Sequence, residues 1–289
     1  SAEQIIDTDP AVILGPSNHA DQLTVEMIAT RDGWENLSAV TQERVYIVDG
    51  DIISRSGPRI VDALEAIATQ LYPDLFIVES VDYPIIYTDV LGNQVTITEQ
   101  PLSIISLAPS VTETLYAIGA GPQVVGRTDY DNYPSEVESI PSVGGFSGET
   151  ISIETIVALE PDLVIGGSVY QADLAPVMAD AGITMFIVEP ASVNDVLQTI
   201  QLLGDITGNV EGAANVINDM QERMAVVAEV INAIPADGRA TIFYEVWHEP
   251  IMTTTGETFI GEIITLAGGV NIFNDIEGTY PTISAEPII

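Results

Sequence analysis

The sequence has no cysteine and no lysine, and only two histidines, His19 and His248. Without cysteine there is no disulfide, no thiolate metal site and no thiol nucleophile. The seven basic residues are all arginines, set against 43 acidic ones, for a formal charge of −36. A surface of that sign repels nucleic acid and anionic membrane, both of which need neutralising cations, so no nucleic-acid partner is expected. No run of about 18 apolar residues is present, so no membrane span is expected, and no leader of the secretory type is visible. Charge this extreme often marks disorder, but 46% of the residues are hydrophobic, and the chain is long enough to bury a large core.

What is there reads as α/β. Ala11–Gly15 and Arg44–Val48 are short strands, the second closed by a turn at Asp49-Gly50-Asp51. Helices are predicted over Asp21–Thr30 and from Pro58 to Pro73, the latter with the stripe Ile60, Leu64, Ile67 and Leu71. After a linker, Leu91-Gly92-Asn93 lies between two extended segments as a hairpin signal. Strands at 103–107, 124–126, 163–165 and 184–188 then alternate with helices, one opened by a capping box of Ser110 and Glu113. This alternation predicts mainly parallel sheets flanked by helices. From Ser192 to about Ile234 the pattern is helical with one break at Gly208-Asn209. A further α/β unit follows, with a strand at Ala240–Tyr244 and a helix over Thr258–Leu266 that Gly268-Gly269 stops.

Several blocks together resemble the periplasmic solute-binding proteins for vitamin B12, haem and iron siderophores. They are Ile104-Ile105-Ser106-Leu107-Ala108-Pro109-Ser110-Val111-Thr112-Glu113, Gly126-Arg127-Thr128-Asp129-Tyr130-Asp131-Asn132-Tyr133-Pro134, Val143-Gly144-Gly145-Phe146, Ser152 to Val164, and Gly268 to Phe273. Ser54 to Leu64 fits as well, but in the family that block lies near the C-terminus. The resemblance implies two α/β lobes joined by one long helix, with ligand held between them, in circularly permuted or tandem-repeat order. The implied organisation is residues 1–72 as part of the C-terminal lobe, 73–83 as linker and 84–191 as the N-terminal lobe. Residues 192–236 then form the helical backbone, and 237–289 the first part of the C-terminal lobe.

The family resemblance places Tyr130 and Phe146 on one rim of the cleft and Tyr244, Trp247 and Tyr280 on the other. Aromatic side chains bury a broad, partly apolar ligand at low entropic cost, which suits a corrinoid, a haem or a metal chelate. Tyr244, on a strand, suits core packing equally well. An anionic chelate needs a cation, and Arg127 is the candidate, with Arg55 a second choice. Glu154 and Glu3, or the copy Glu286, match lobe-tip glutamates that dock on an ABC permease. His248 beside Trp247 either ligates a ligand's metal or is a surface histidine. The residues make no metal motif, no resident cofactor is implied, and no nucleophile–base set has supporting context, so binding without catalysis is expected at an extracytoplasmic location, periplasm or cell surface.

The opening Ser1-Ala2-Glu3-Gln4-Ile5-Ile6 returns at the end as Ser284-Ala285-Glu286-Pro287-Ile288-Ile289. One helix slot cannot hold both copies. Either one copy is surplus, or neighbouring units complete one another head to tail. The second case motivates a rival reading, a structural cell-surface or filament-forming protein built from such domains.

Overall fold

The computed structural model describes residues 2–17, 23–53, 60–72 and 81–284. The chain divides into two compact units, Ser1–Val78 and Glu79–Ile289. The α/β class with parallel sheets flanked by helices is the class observed.

The first unit contains α1 (Ala2–Thr8), β1 (Ile13–Pro16), α2 (Val25–Ala29), α3 (Ser38–Thr41), β2 (Val45–Val48), α4 (Gly50–Ile53) and α5 (Ile60–Leu71). Strands β1 and β2 pair in parallel, Ile13 with Val45 through Pro16 with Val48. Ile28, Trp34, Leu37, Ala39 and Val45 make its buried cluster. Asp9 anchors α3: the Ser38 amide and hydroxyl both donate to its carboxylate at 2.6 Å. Those bonds, the hydroxyl's first, hold its pKa below the usual value.

One expectation fails in this unit: Asp49-Gly50-Asp51 does not close as a turn, because Gly50 and Asp51 open α4. The helix expected between Pro58 and Pro73 forms as α5, with Leu64 of its stripe 66% exposed. Residues 18–22, with His19, residues 54–59, with Arg55 and Pro58, most of the linker, and residues 285–289, with Glu286, lie outside the described residues.

The second unit opens with the expected hairpin, β3 (Ile85–Thr88) and β4 (Gln94–Ile97). An α/β sandwich follows: β5 (Ile104–Ser106), α6 (Pro109–Ala117), β6 (Val124–Gly126), α7 (Ile153–Ala158), β7 (Leu163–Gly166), α8 (Leu174–Asp180) and β8 (Thr184–Ile187). Its four strands are all parallel in the order β6-β5-β7-β8. Near-continuous apolar runs suit strands covered on both faces, and Ile104, Ile105, Val164 and Ile165 are fully buried. The capping box at Ser110 does not form. Pro109 already occupies the first turn, and Ala108 is the cap residue with no side-chain cap bond. Ser152 does cap α7, accepting from the Thr155 amide at 3.2 Å.

The predicted helical stretch is α9 (Val193–Thr207) and α10 (Val210–Asn232), broken where expected. Gly208 turns left-handed at φ 73°, the conformation that favours glycine after a helix. Ile200, Leu203 and Ile206 are buried against the four-stranded sheet, and Val196, Ile217 and Met220 pack on the same cluster. Farther along α10, Val226, Val227 and Val230 are exposed. The closing part is β9 (Thr241–Ile242), β10 (Glu245–Trp247), β11 (Met252–Thr253), α11 (Phe259–Leu266) and β12 (Val270–Asn271). The strand expected over Ala240–Tyr244 is therefore two residues long, and β9 pairs in parallel with β12. The β10–β11 hairpin has no counterpart among the expectations. No helix among the described residues is long and apolar enough to cross a membrane.

Candidate functional site

In open α/β sheets, ligand sites form beyond the carboxyl ends of the strands, at the point where the strand order reverses. Here the chain runs from β5 outward to β6, then crosses back to β7, so that point lies between β5 and β7. Buried Gln171 occupies it. Its amide nitrogen donates to the Leu107 and Phe146 carbonyls at 2.7 and 2.9 Å, and its amide oxygen accepts from the Gly167 N–H at 2.9 Å. One side chain thus ties the end of β5, the end of β7 and the Phe146 loop together. Gly167 permits the close approach, since a Cβ there would lie 2.2 Å from that of Ala108.

The loop after β6 is equally fixed. The Thr128 amide donates to the Asp131 carboxylate at 2.9 Å, and the Thr128 hydroxyl donates to the same oxygen. The Asp129 amide donates to the Gly144 carbonyl at 2.7 Å, and the Ser142 hydroxyl to the Asp129 carboxylate at 2.5 Å. These bonds hold Tyr130 on a rigid loop, 62% exposed, with exposed Tyr133 beyond it. Phe146 is partly buried against the main cluster. Arg127 is half-buried; its guanidinium donates to the Val137 carbonyl at 2.9 Å and to the Thr128 carbonyl at 2.7 Å. Both groups it bonds are neutral carbonyls, so these bonds leave its charge uncompensated.

Of the other aromatic residues, Trp247 lies on β10, Tyr244 just before it, and Tyr280 next to the segment that bonds β11. The Thr253 hydroxyl donates to the Tyr244 carbonyl at 2.8 Å, and the Thr253 amide donates to the Pro281 carbonyl at 3.2 Å. Tyr244, Trp247 and Tyr280 therefore share one small β patch, all three exposed. Tyr244 is the least exposed of the three, at 41%. The Trp247 indole N–H donates to the Glu249 carbonyl at 3.0 Å. His248 Nδ1 lies 3.0 Å from a Glu245 carboxylate oxygen. Among the described residues there is no cluster of three or more His, Asp or Glu able to hold a metal ion. Glu154 and Glu3 each sit exposed in the first turn of a helix, α7 and α1 respectively.

Tyr170 was missed. It follows β7 and the cap residue Ser168, and is 76% exposed. Ser168 is buried, and its hydroxyl donates to Glu189, just beyond β8, at 2.8 Å. The signal was a strand running into Gly166-Gly167-Ser168, with an aromatic residue two positions later.

The chain is 33% identical over 201 residues to an ABC transporter substrate-binding lipoprotein of Bacillus subtilis, covering 68% of this chain and 63% of the relative. It is 29% identical over 210 residues to a cobalamin-binding protein of Halobacterium salinarum, covering 72% of this chain and 56% of the relative. It thus spans less than two thirds of the length of these relatives. Among solved structures, the periplasmic vitamin B12-binding protein of Vibrio cholerae superposes with a TM-score of 0.56 at 29% identity, covering 65% of this chain and 72% of that one. A haem-binding protein of Roseiflexus, 23% identical, superposes with a TM-score of 0.57 over 65% of this chain and 72% of that one, which shows the shared fold. The family model for periplasmic binding proteins matches residues 104–289. Its matched span runs from the first strand of the four-stranded sheet, through both long helices, to the hairpin and beyond, so the chain belongs to the periplasmic binding protein family.

Proposed function

We propose that the chain is an extracytoplasmic solute-binding module for a large, partly apolar metal chelate: a corrinoid, a haem or an iron siderophore complex. The observation that carries this reading is exposed Tyr130 on its pinned loop beyond β6, together with exposed Tyr244, Trp247 and Tyr280 around the β10–β11 hairpin. In this reading Tyr130 and Phe146 take one face of the ligand, Tyr244, Trp247 and Tyr280 the other, and Arg127 answers ligand carboxylates. Aromatic contact area suits a wide planar ligand, and the relatives that carry cobalamin- and haem-binding names support that class. The chain binds and releases its ligand without chemistry. It delivers that ligand to an ABC permease, with Glu154 and Glu3 as docking carboxylates at two helix starts and Glu286 as the counterpart of Glu3. Residues 84–191 serve as one lobe and 192–236 as the helical backbone. Residues 237–289 and 1–72, on either side of the linker 73–83, carry second-lobe segments.

The test is titration with cobalamin, haemin and ferric chelates, following tryptophan fluorescence. Trp34 is buried, so the Trp247→Phe variant should lose most of the quenching. Tyr130→Ala should weaken binding about tenfold, roughly 1.4 kcal/mol. No binding of any of the three up to about millimolar, where association is worth only about 4 kcal/mol, overturns the reading.

A further inference from the structure

The closing part of the second unit is tied to the start of α9 by a single carboxylate. A Glu262 carboxylate oxygen, on α11, accepts from the amide of Val193, the first residue of α9, at 2.8 Å. Both residues are half-buried. Among the described residues this is the one hydrogen bond between residues 240–284 and residues 81–232.

The start of α9 explains the pairing. The first amides of a helix have no partner inside it, and its positive pole favours a carboxylate. The Ser192 hydroxyl accepts from the Asp195 amide at 3.1 Å, and the Asp195 carboxylate turns back to the Ala191 amide at 3.2 Å. The Val193 amide is left for a group from outside the helix, and Glu262 supplies it.

Both sides of this contact are stiff. The Thr258 hydroxyl accepts from the Gly261 amide at 2.9 Å and donates to the Thr255 carbonyl at 3.0 Å. A Cβ on Gly261 would lie 2.0 Å from that carbonyl oxygen, so glycine lets α11 sit directly against the chain leaving β11. The same chain holds the aromatic patch. The Thr253 hydroxyl bonds the Tyr244 carbonyl, and the Thr255 hydroxyl donates at 2.6 Å to the carbonyl of Gly278, close to Tyr280 in sequence. On the other side, Val193 follows shortly after Glu189, which accepts from Ser168 beyond β7 at 2.8 Å. Glu262 thus links the aromatic patch of the hairpin to the loops at the carboxyl ends of the four-stranded sheet.

We propose that Glu262 is a positioning residue: its bond to Val193 sets the angle at which the segment bearing Tyr244, Trp247 and Tyr280 meets α9, and so the approach of that patch to Tyr130. This rests on the reading of residues 84–191 and 237–289 as parts of two lobes on either side of the helical backbone. Lobes already held at one separation lose less freedom when a ligand binds between them.

Two substitutions break the bond from opposite ends. Glu262→Ala removes the acceptor. Val193→Pro removes the donor and keeps the helix start, because proline suits the first helical position and Ser192 before it is already extended, at φ −138° and ψ 165°. Glu262→Gln keeps an acceptor oxygen and serves as the rescue. The chain has no cysteine, so spin labels at Glu138→Cys and Glu277→Cys, both exposed positions, report the separation of the two lobes by electron paramagnetic resonance. Circular dichroism and thermal unfolding check that each variant folds. The parent should give one narrow distance distribution. Its width should about double in Glu262→Ala and in Val193→Pro, return to the parent's in Glu262→Gln, and grow no further when the two bond-breaking changes are combined. A lowered melting temperature with an unchanged width in folded Val193→Pro overturns the proposal, as do widths that add in the combined variant. No ligand enters the measurement, so a failure to bind cobalamin, haemin or ferric chelates is a separate result from a failure here.

Discussion

Gln171 joins three loops through one buried amide. Replacing it with leucine leaves the Leu107 and Phe146 carbonyls and the Gly167 N–H without the partners it supplies. A buried polar group left unpaired costs about 1–3 kcal/mol, so Gln171→Leu should lower the urea midpoint and, by freeing the Phe146 loop, weaken ligand binding. Tyr87 offers a pH-dependent test. Burial first, and then the hydrogen bond of its hydroxyl to Asp205, push its pKa up to about 12 from 10.0. A phenol whose folded pKa is raised contributes stability that is fully present below its unfolded value and is lost as pH rises through the folded one. Denaturation midpoints of the parent should therefore fall between about pH 10 and 12. In Tyr87→Phe that fall should shrink, and stability near neutrality should drop by about 1 kcal/mol, one hydrogen bond's worth. Asp162 acts at the opposite end of the scale. Burial pushes its pKa up, but bonds from the Leu102 amide and from Ser103 outweigh burial and leave it lowered. Its contribution is present above the ordinary carboxylate value and is lost as pH falls through the lowered one, so Asp162→Asn should flatten the acid limb of the same curve.

Among the elements, legibility followed the strength of the local signal. The strands of the four-stranded sheet could be read because each is an apolar run bounded by turn residues, and the α9–α10 break because Gly208 supplies the left-handed turn. Pro109 displaced the Ser110 cap because proline fits the first helical turn, and a hydroxyl one position later had no free end to cap. The β10–β11 hairpin was not legible. Glu245-Val246-Trp247 has no clear alternation, and its partner β11 is two residues long and is itself bridged by the distant Thr282. The aromatic residues of the candidate site were nameable from the family motif, whereas Tyr170 lies outside the motif blocks. Gly212 on α10 tests the helix packing. A Cβ there would lie 2.0 Å from the Ile118 carbonyl oxygen, a backbone atom with little room to yield. Gly212→Ala should therefore destabilise by about 1–3 kcal/mol, although alanine favours helix elsewhere; thermal unfolding measures it.

For the whole molecule, 43 acidic residues against seven arginines mean strong self-repulsion. Screening should raise the melting temperature as ionic strength climbs from low salt, with most of the gain reached once the Debye length falls to a few ångströms, near 1 M. A flat dependence would mean that the acidic residues are dispersed too widely to repel. The junction between α9 and α10 bears on how motion is carried through the second unit. The Thr207 carbonyl there accepts from three amide side chains, Gln100 at 2.7 Å, Gln123 at 3.0 Å and Asn209 at 3.1 Å. Three struts on one joint make it an elbow locked at a set angle. At 23 residues α10 is a lever of roughly 35 Å, so a rotation of one degree at the elbow swings its free end by about 0.6 Å. Small errors at the joint are magnified where the chain leaves α10 for β9, and three amides on one carbonyl keep those errors small.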